Sequence, residues 1–159
     1  MDLKSDLQHY LQTHIPISAA MGVTVRDASF QRIVLSAPFS NNINHKKTVF
    51  GGSLHAVATL ACWSFLHVNL AGKYKESVEL VISKSNVDYI VPVVADFEAE
   101  CIWPAENDWL RFIKILEKKG KARITLKSKI YQSDKLCVDY SGVFVGICRR
   151  STAQNSNIG

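Results

Sequence analysis

The sequence predicts an α+β protein in which a long antiparallel β-sheet wraps one central, buried α-helix. Two observations carry that prediction. Residues 54–70 form an apolar run of helical length, with the small residues Ala56, Ala58 and Ala61 spread along it. A helix that is apolar nearly all round is buried rather than laid on a surface. After it the chain switches to alternation of apolar and polar residues, the period of a half-buried strand. A sheet with one apolar face must cover that face, and one buried helix does so. There are no βαβ repeats and no GxxxxGK[ST] or GxGxxG sequence, which argues against a doubly wound nucleotide-binding fold.

The elements follow in order. Between Asp2 and His14, the residues Leu3, Leu7, Tyr10 and Leu11 recur at helical spacing, and Pro16 stops that helix. Val23 to Asp27 and Arg32 to Pro38 read as short strands joined by a turn over 28–31, with Gly22 marking a bend or close approach. Residues 40–50 are polar and irregular; Asn41, Asn42 and Asn44 favour turns held by side-chain to backbone hydrogen bonds. Gly51 and Gly52 lead into the central helix, which Ser53 can cap and Gly72 stops. Ser77 to Asp88 alternates. Val93 to Trp103 sets Val93, Ala95, Phe97, Ala99, Cys101 and Trp103 against Asp96, Glu98 and Glu100. Trp109, Phe112, Ile113 and Leu116 predict a short helix within 104–120. Lys121 to Tyr131 is the cleanest strand, with Ala122, Ile124, Leu126, Ser128 and Ile130 inward and Lys121, Arg123, Thr125, Lys127 and Lys129 outward. Leu136 to Cys148 closes a sheet of five or six strands.

A chain of 159 residues fits one domain, placed at 1–150, with a flexible tail at 151–159. Its 47% apolar and 21% charged residues are ordinary for a globular protein. The net charge of +5 favours acidic partners, such as a phosphate-bearing cofactor or an acidic carrier protein. Nucleic acid would demand a denser basic stripe and is not expected. Cys62, Cys101, Cys137 and Cys148 lie among apolar neighbours and form no CxxC pair, which fits buried thiols in a reducing cytoplasm. The first residues lack a signal-peptide pattern, and the longest apolar stretch is too short and too polar to span a bilayer. Histidines and carboxylates do not cluster, so no metal is expected.

The run Asn44-His45-Lys46-Lys47-Thr48-Val49-Phe50-Gly51-Gly52-Ser53-Leu54 carries the chemistry. The first turn of a helix has unpartnered N–H groups and partial positive charge, and glycines let a ligand approach them. A thioester carbonyl placed there is polarised, and its tetrahedral oxyanion is stabilised more than its ground state. The bland alternative is a tight turn before a buried helix. Asn44 reads as the side chain of an Asx-turn. His45 reads as a general base or a solvated loop side chain. His55 and His67, on the central helix, read as core or interface histidines. Ser53 has no His-Asp relay beside it and no GxSxG elbow around it, against a covalent serine mechanism.

This run resembles the hotdog-fold thioesterases, and most of all the putative thioesterase family found as the C-terminal half of some acetyltransferase fusions. The similarity extends over roughly 5–150. It implies a hotdog fold whose sheets pair into a homodimer, or a tetramer, with acyl-thioester sites at the subunit interface. It implies hydrolysis of an acyl-CoA or acyl-carrier-protein thioester, with no cofactor beyond the coenzyme A or phosphopantetheine of the substrate. Asn44, His45, Gly51, Gly52 and Thr59 are then the candidate catalytic residues, the Asn44 amide to orient a water or the thioester. Lys46, Lys47, Phe50, Ser53, Lys121 and Arg123 are the candidate contacts to the carrier, the basic ones toward phosphate or an acidic protein. Trp63 and Phe65 are candidates to line an acyl tunnel.

Two departures from the best-known hotdog pattern stand out. Phe50 occupies the place of the His in His-Gly-Gly. Thr59, seven residues past Gly52, occupies the place of an Asp or Glu, and no carboxylate occurs from His45 through Gly72. The expected mechanism is therefore water attack on a thioester held at Gly51–Gly52, with Asn44 and Thr59 positioning the water. The alternatives are a non-catalytic acyl-CoA or acyl-carrier binding module, a hotdog hydratase or dehydratase, and a condensing-type partner in fatty-acid synthesis. Lys121 to Tyr131 is a candidate edge strand for pairing across subunits.

Overall fold

The computed structural model describes residues 2–74 and 77–149. Its elements are α1 (Leu3–His14), α2 (Pro16–Ala20), β1 (Thr24–Ala28), β2 (Arg32–Ala37), α3 (Phe39–Asn42), α4 (Gly51–Leu70), β3 (Ser77–Tyr89), β4 (Phe97–Ile102), α5 (Glu106–Lys119), β5 (Lys121–Gln132) and β6 (Lys135–Arg149). Six strands form one antiparallel sheet in the order β1-β2-β4-β5-β6-β3. The tail expected at 151–159 lies outside the described residues.

α4 is the hub. Val57, Ala58, Ala61, Cys62, Phe65 and Leu66 are fully buried on it, and it touches β2, β3, β4, β5 and β6. The alanines keep the helix thin enough for strands to curl about it. The sheet answers with Ile33, Leu35, Phe97, Ala99, Leu126, Ile130, Val138 and Phe144, all buried. Each large side chain so buried contributes about 1.5–3 kcal/mol relative to exposure. Alternation along β5 is complete: residues 122, 124, 126, 128 and 130 are buried, and 121, 123, 125, 127 and 129 are exposed.

α5 covers one end of the core with Trp109, Phe112 and Leu116. Glu106 and Asp108 in its first turn and Lys118 and Lys119 in its last complement the helix dipole. Gly120, at φ 72°, ends it in the left-handed conformation that favours glycine.

Several expectations are corrected. Pro16 ends α1, but it also opens α2 as its first residue, where its missing N–H costs nothing. The irregular loop contains a short helix, α3. The central helix begins at Gly51 rather than Leu54, and its cap residue is Phe50, so Ser53 lies inside the helix and does not cap it. The strand expected from Val93 shrinks to β4, because Val93 and Val94 serve loops instead: the Val93 carbonyl accepts from the Val49 N–H, and the Val94 N–H donates to Gln132 Oε1. β5 is interior, flanked by β4 and β6; the edge strands are β1 and β3. Phe65 is buried core, set edge-on against Trp103 and Trp109.

Candidate active site

The site begins with the first turn of α4. The Phe50 carbonyl accepts from the N–H groups of Ser53 and Leu54, at 2.9 and 3.2 Å. The N–H groups of Gly51 and Gly52 find no partner among the described residues, and no side chain caps the helix. Two donors at the positive end of a 20-residue helix are therefore available to an incoming oxygen. The missing Cβ at Gly52 is what lets the Phe50 ring lie against the helix start; a side chain there would push the ring aside. That ring is 58% exposed, an apolar surface beside two free donors. The Tyr89 hydroxyl, from the end of β3, donates to the Gly51 carbonyl at 3.1 Å.

The loop leading into the helix is held at several points. Asn42 is buried, and its amide donates to the carbonyls of Met21 and Pro38. The Phe50 N–H donates back to the Asn42 carbonyl at 2.7 Å. Asn44 closes the tip: its Oδ1 accepts from the N–H groups of Lys46 and Thr48, and its Nδ2 donates to Thr48 Oγ1. Ile43 and Val49 form an isolated antiparallel bridge below it.

One turn along α4, a second set of polar groups gathers. A residue three or four positions along a helix shares the face of its predecessor. His55 and Thr59 therefore continue the column begun by Gly51 and Gly52. His55 Nε2 lies 2.9 Å from Ser85 Oγ on β3, and its ring centroid is 5.7 Å from that of Tyr140 on β6. Thr59 Oγ1 lies 2.9 Å from both the His55 carbonyl and the Tyr140 hydroxyl. The Thr59 hydroxyl is the donor toward both oxygens, its one proton shared between them. Burial pushes the Tyr140 phenol up to about 12, with the Thr59 hydroxyl acting in the opposite sense. It keeps its proton throughout the neutral range.

A β-bulge at Ser83 makes this cluster possible. Before it Val78, Leu80 and Ile82 face the helix. The register then skips a residue, turning Lys84 outward and Ser85, Val87 and Tyr89 inward. Bulges re-aim side chains in this way. Opposite Ser85 stands Gly142, where a Cβ would come within 2.6 Å of the Tyr140 hydroxyl. The missing side chain lets Tyr140 lean over its own strand to reach Thr59.

The structure thus brings Phe50, Gly51, Gly52 and Thr59 onto one helix, with Ser53 half-buried beside them. His45, Lys46 and Lys47 are exposed on the loop before it, Lys47 with a left-handed φ of 60°. Lys121 and Arg123 are exposed on the outer face of β5, with the sheet between them and α4. Within one chain they do not join the Gly51–Gly52 group. Ser85, Tyr89 and Tyr140 enter the site without a sequence motif. Tyr140 left one trace, a hydroxyl on the apolar row it shares with Val138, Gly142 and Phe144. Trp63 and His67 stack with Tyr10 of α1, centroids 5.8 and 4.2 Å from it, and close the far half of the column.

Comparison with known proteins places these features in context. Residues 4–148 match the family model described as putative thioesterase (yiiD_Cterm). A solved protein of unknown function from Chlorobaculum tepidum is 31% identical, superposes with a TM-score of 0.85, and aligns over 92% of this chain and 95% of its own. The putative thioesterase of Shewanella oneidensis is 25% identical with a TM-score of 0.79, over 91% of this chain and 97% of its own. A Pseudomonas aeruginosa probable thioesterase shares the fold at 15% identity and a TM-score of 0.78, over 94% of this chain and 99% of its own.

Proposed function

The chain belongs to the putative thioesterase (yiiD_Cterm) family with the hotdog fold, and on that premise we propose that it hydrolyses an acyl thioester to a carboxylic acid and a free thiol. The observation that carries this reading is the pair of unpartnered N–H groups at Gly51 and Gly52. A thioester carbonyl oxygen accepting from them gains most as it becomes an oxyanion, because donors fixed in a folded helix need no reorganisation. Water adds to the carbonyl carbon, the C–S bond breaks, and the thiolate leaves and takes up a proton. Thr59, held by Tyr140, sits about two turns further along the same face to orient the water. Asn44 acts by holding the loop that sets the helix start.

The carrier is coenzyme A or the phosphopantetheine of an acyl-carrier protein. Lys46 and Lys47 are the nearest cations in sequence to the glycines and suit its phosphates. Lys121 and Arg123 suit an acidic carrier docking from outside the sheet. The exposed edge of β3, with Val81, Ile82, Tyr89 and Ile90 uncovered, is the seam we assign to a homodimer. Cys62, Cys101 and Cys137, buried and outside any disulfide, fit a reducing compartment such as the cytoplasm. A non-catalytic acyl-carrier binding module is the second reading, favoured by the lack of any carboxylate from His45 through Gly72.

The test follows thiol release from acyl-CoA substrates of increasing chain length, in wild type and Gly51→Pro. Proline suits the first position of a helix, and the extended Phe50 before it (φ −56°, ψ 128°) accepts a following proline. The variant removes one N–H and leaves the helix. A fall of about 10²–10³ in kcat is expected. Tight acyl-CoA binding with no thiol release would identify the binding module.

A further inference from the structure

We propose that His55 is the general base of this hydrolysis, taking the role that a helix carboxylate would otherwise fill. The inference rests on the thioesterase reading above and deepens it. Three observations converge on this residue. His55 lies on the helical face of Gly51 and Gly52, one turn of about 5.4 Å along the axis. It is half-buried, and its Nε2 is held 2.9 Å from Ser85 Oγ. The bulge at Ser83 turns Ser85 inward to make that contact. His45, by contrast, is exposed on the loop tip.

A serine hydroxyl can donate or accept, and the tautomer that serves as base is the one in which Nε2–H donates to Ser85 Oγ. With Nε2–H donating to Ser85 Oγ, Nδ1 keeps its lone pair and is the nitrogen that takes a proton. Base catalysis through one water extends its reach to a carbonyl held at the start of the helix. The water oxygen bonds to the carbonyl carbon while its proton passes to Nδ1. The tetrahedral oxyanion rests on the Gly51 and Gly52 N–H groups. It collapses with loss of the thiolate, and the imidazolium returns its proton to the departing sulfur. No other reactant is needed. The titratable groups around His55 are Tyr140 from β6 and, further along β3, Tyr89. The charged residues of this part of β3, Lys84 and Asp88, stand on its opposite face. Ser85 is a positioning residue: it touches the base, not the substrate.

The experiment measures kcat and KM for acyl-CoA thiol release between pH 5 and 9 in wild type, His55→Ala, Ser85→Ala and Ser85→Thr. Alanine is the best helix former, so His55→Ala keeps α4, and a matching thermal melt verifies the fold. Wild-type kcat should rise with pH as the base loses its proton. His55→Ala should lose about 10²–10⁴-fold in kcat with little change in KM, lose that rise, and regain turnover when free imidazole is added. Ser85→Ala should move the midpoint of the rise, and Ser85→Thr should restore it. Wild-type kcat in a folded His55→Ala overturns the proposal and leaves the thioesterase reading standing. So does a loss of activity with the pH profile unmoved and no response to imidazole. A wild type that releases no thiol from any thioester overturns both.

Discussion

Thr59 on the central helix and Tyr140 on β6 meet hydroxyl to hydroxyl at 2.9 Å, although eighty-one residues separate them in the chain. Each is the other's side-chain partner, beside the His55–Ser85 pair on the same face of the helix. The asymmetry of buried hydrogen bonds then makes a prediction. Thr59→Val leaves the buried phenol without its hydrogen-bond partner and should cost about 1–3 kcal/mol, whereas the double variant with Tyr140→Phe should recover much of that loss. Urea unfolding of the two single variants and the double variant measures the coupling.

The same phenol sets an alkaline limit. Its pKa is raised by burial from the ordinary 10 to about 12. Between those values the folded state holds a proton that the unfolded chain has released, so stability falls as pH rises from about 10 to 12. Tyr140→Phe should flatten that decline in thermal melts.

At the acidic end, His67 behaves in the opposite sense. Burial lowers its pKa, and the nearby His14 adds to the effect. The unfolded chain then takes up a proton first, and stability falls as pH drops below about 6.5 toward the lower folded value. His67→Gln should lose less stability than wild type between pH 7 and 5, read as the shift in melting temperature.

Asn44 separates a loop-holding from a purely chemical role. Its Oδ1 accepts two backbone N–H groups. Asn44→Asp keeps that acceptor and should keep most of the turnover. Asn44→Ala should lose about 1–2 kcal/mol and turnover together. Denaturant melts and thiol-release rates on both variants settle the order.

Gly22 sits at φ +71°, and a Cβ there would come within 2.8 Å of the Pro38 ring. Gly22→Ala combines left-handed strain with a collision in a tight corner, and should destabilise by about 2–3 kcal/mol. A urea midpoint shift without a change in slope is the expected signature.

The architecture was legible because its main elements obey one local rule each. β5 alternates without a fault, and α4 is apolar on every side, so the pairing of a sheet with a buried helix follows from burial alone. The start of α4 was misread because two glycines weaken helix propensity, although at a helix N-terminus that penalty is small and the free donors are the gain. The site was legible only in part. Gly51, Gly52 and Thr59 share one helix and could be read from spacing. Ser85 could not, because the bulge at Ser83 reverses which residues of β3 face inward, and a one-residue slip is invisible to a period-two pattern. Lys121 and Arg123 were correctly read as outward-facing. Their distance from the glycines depends on how the sheet wraps, which no local pattern encodes.

The order of strands has a consequence for motion. β6 is bonded along its length on both flanks, by β5 and by β3, while β3 is bonded on one. Within a single chain the peptide groups of β3 are expected to exchange before those of β6, and pairing of that margin with a second subunit would cancel the difference. The face of α4 that carries Gly51, His55 and Thr59 is thus bounded on one side by Tyr140, on a strand bonded along both flanks, and on the other by Ser85 and Tyr89, on a sheet margin.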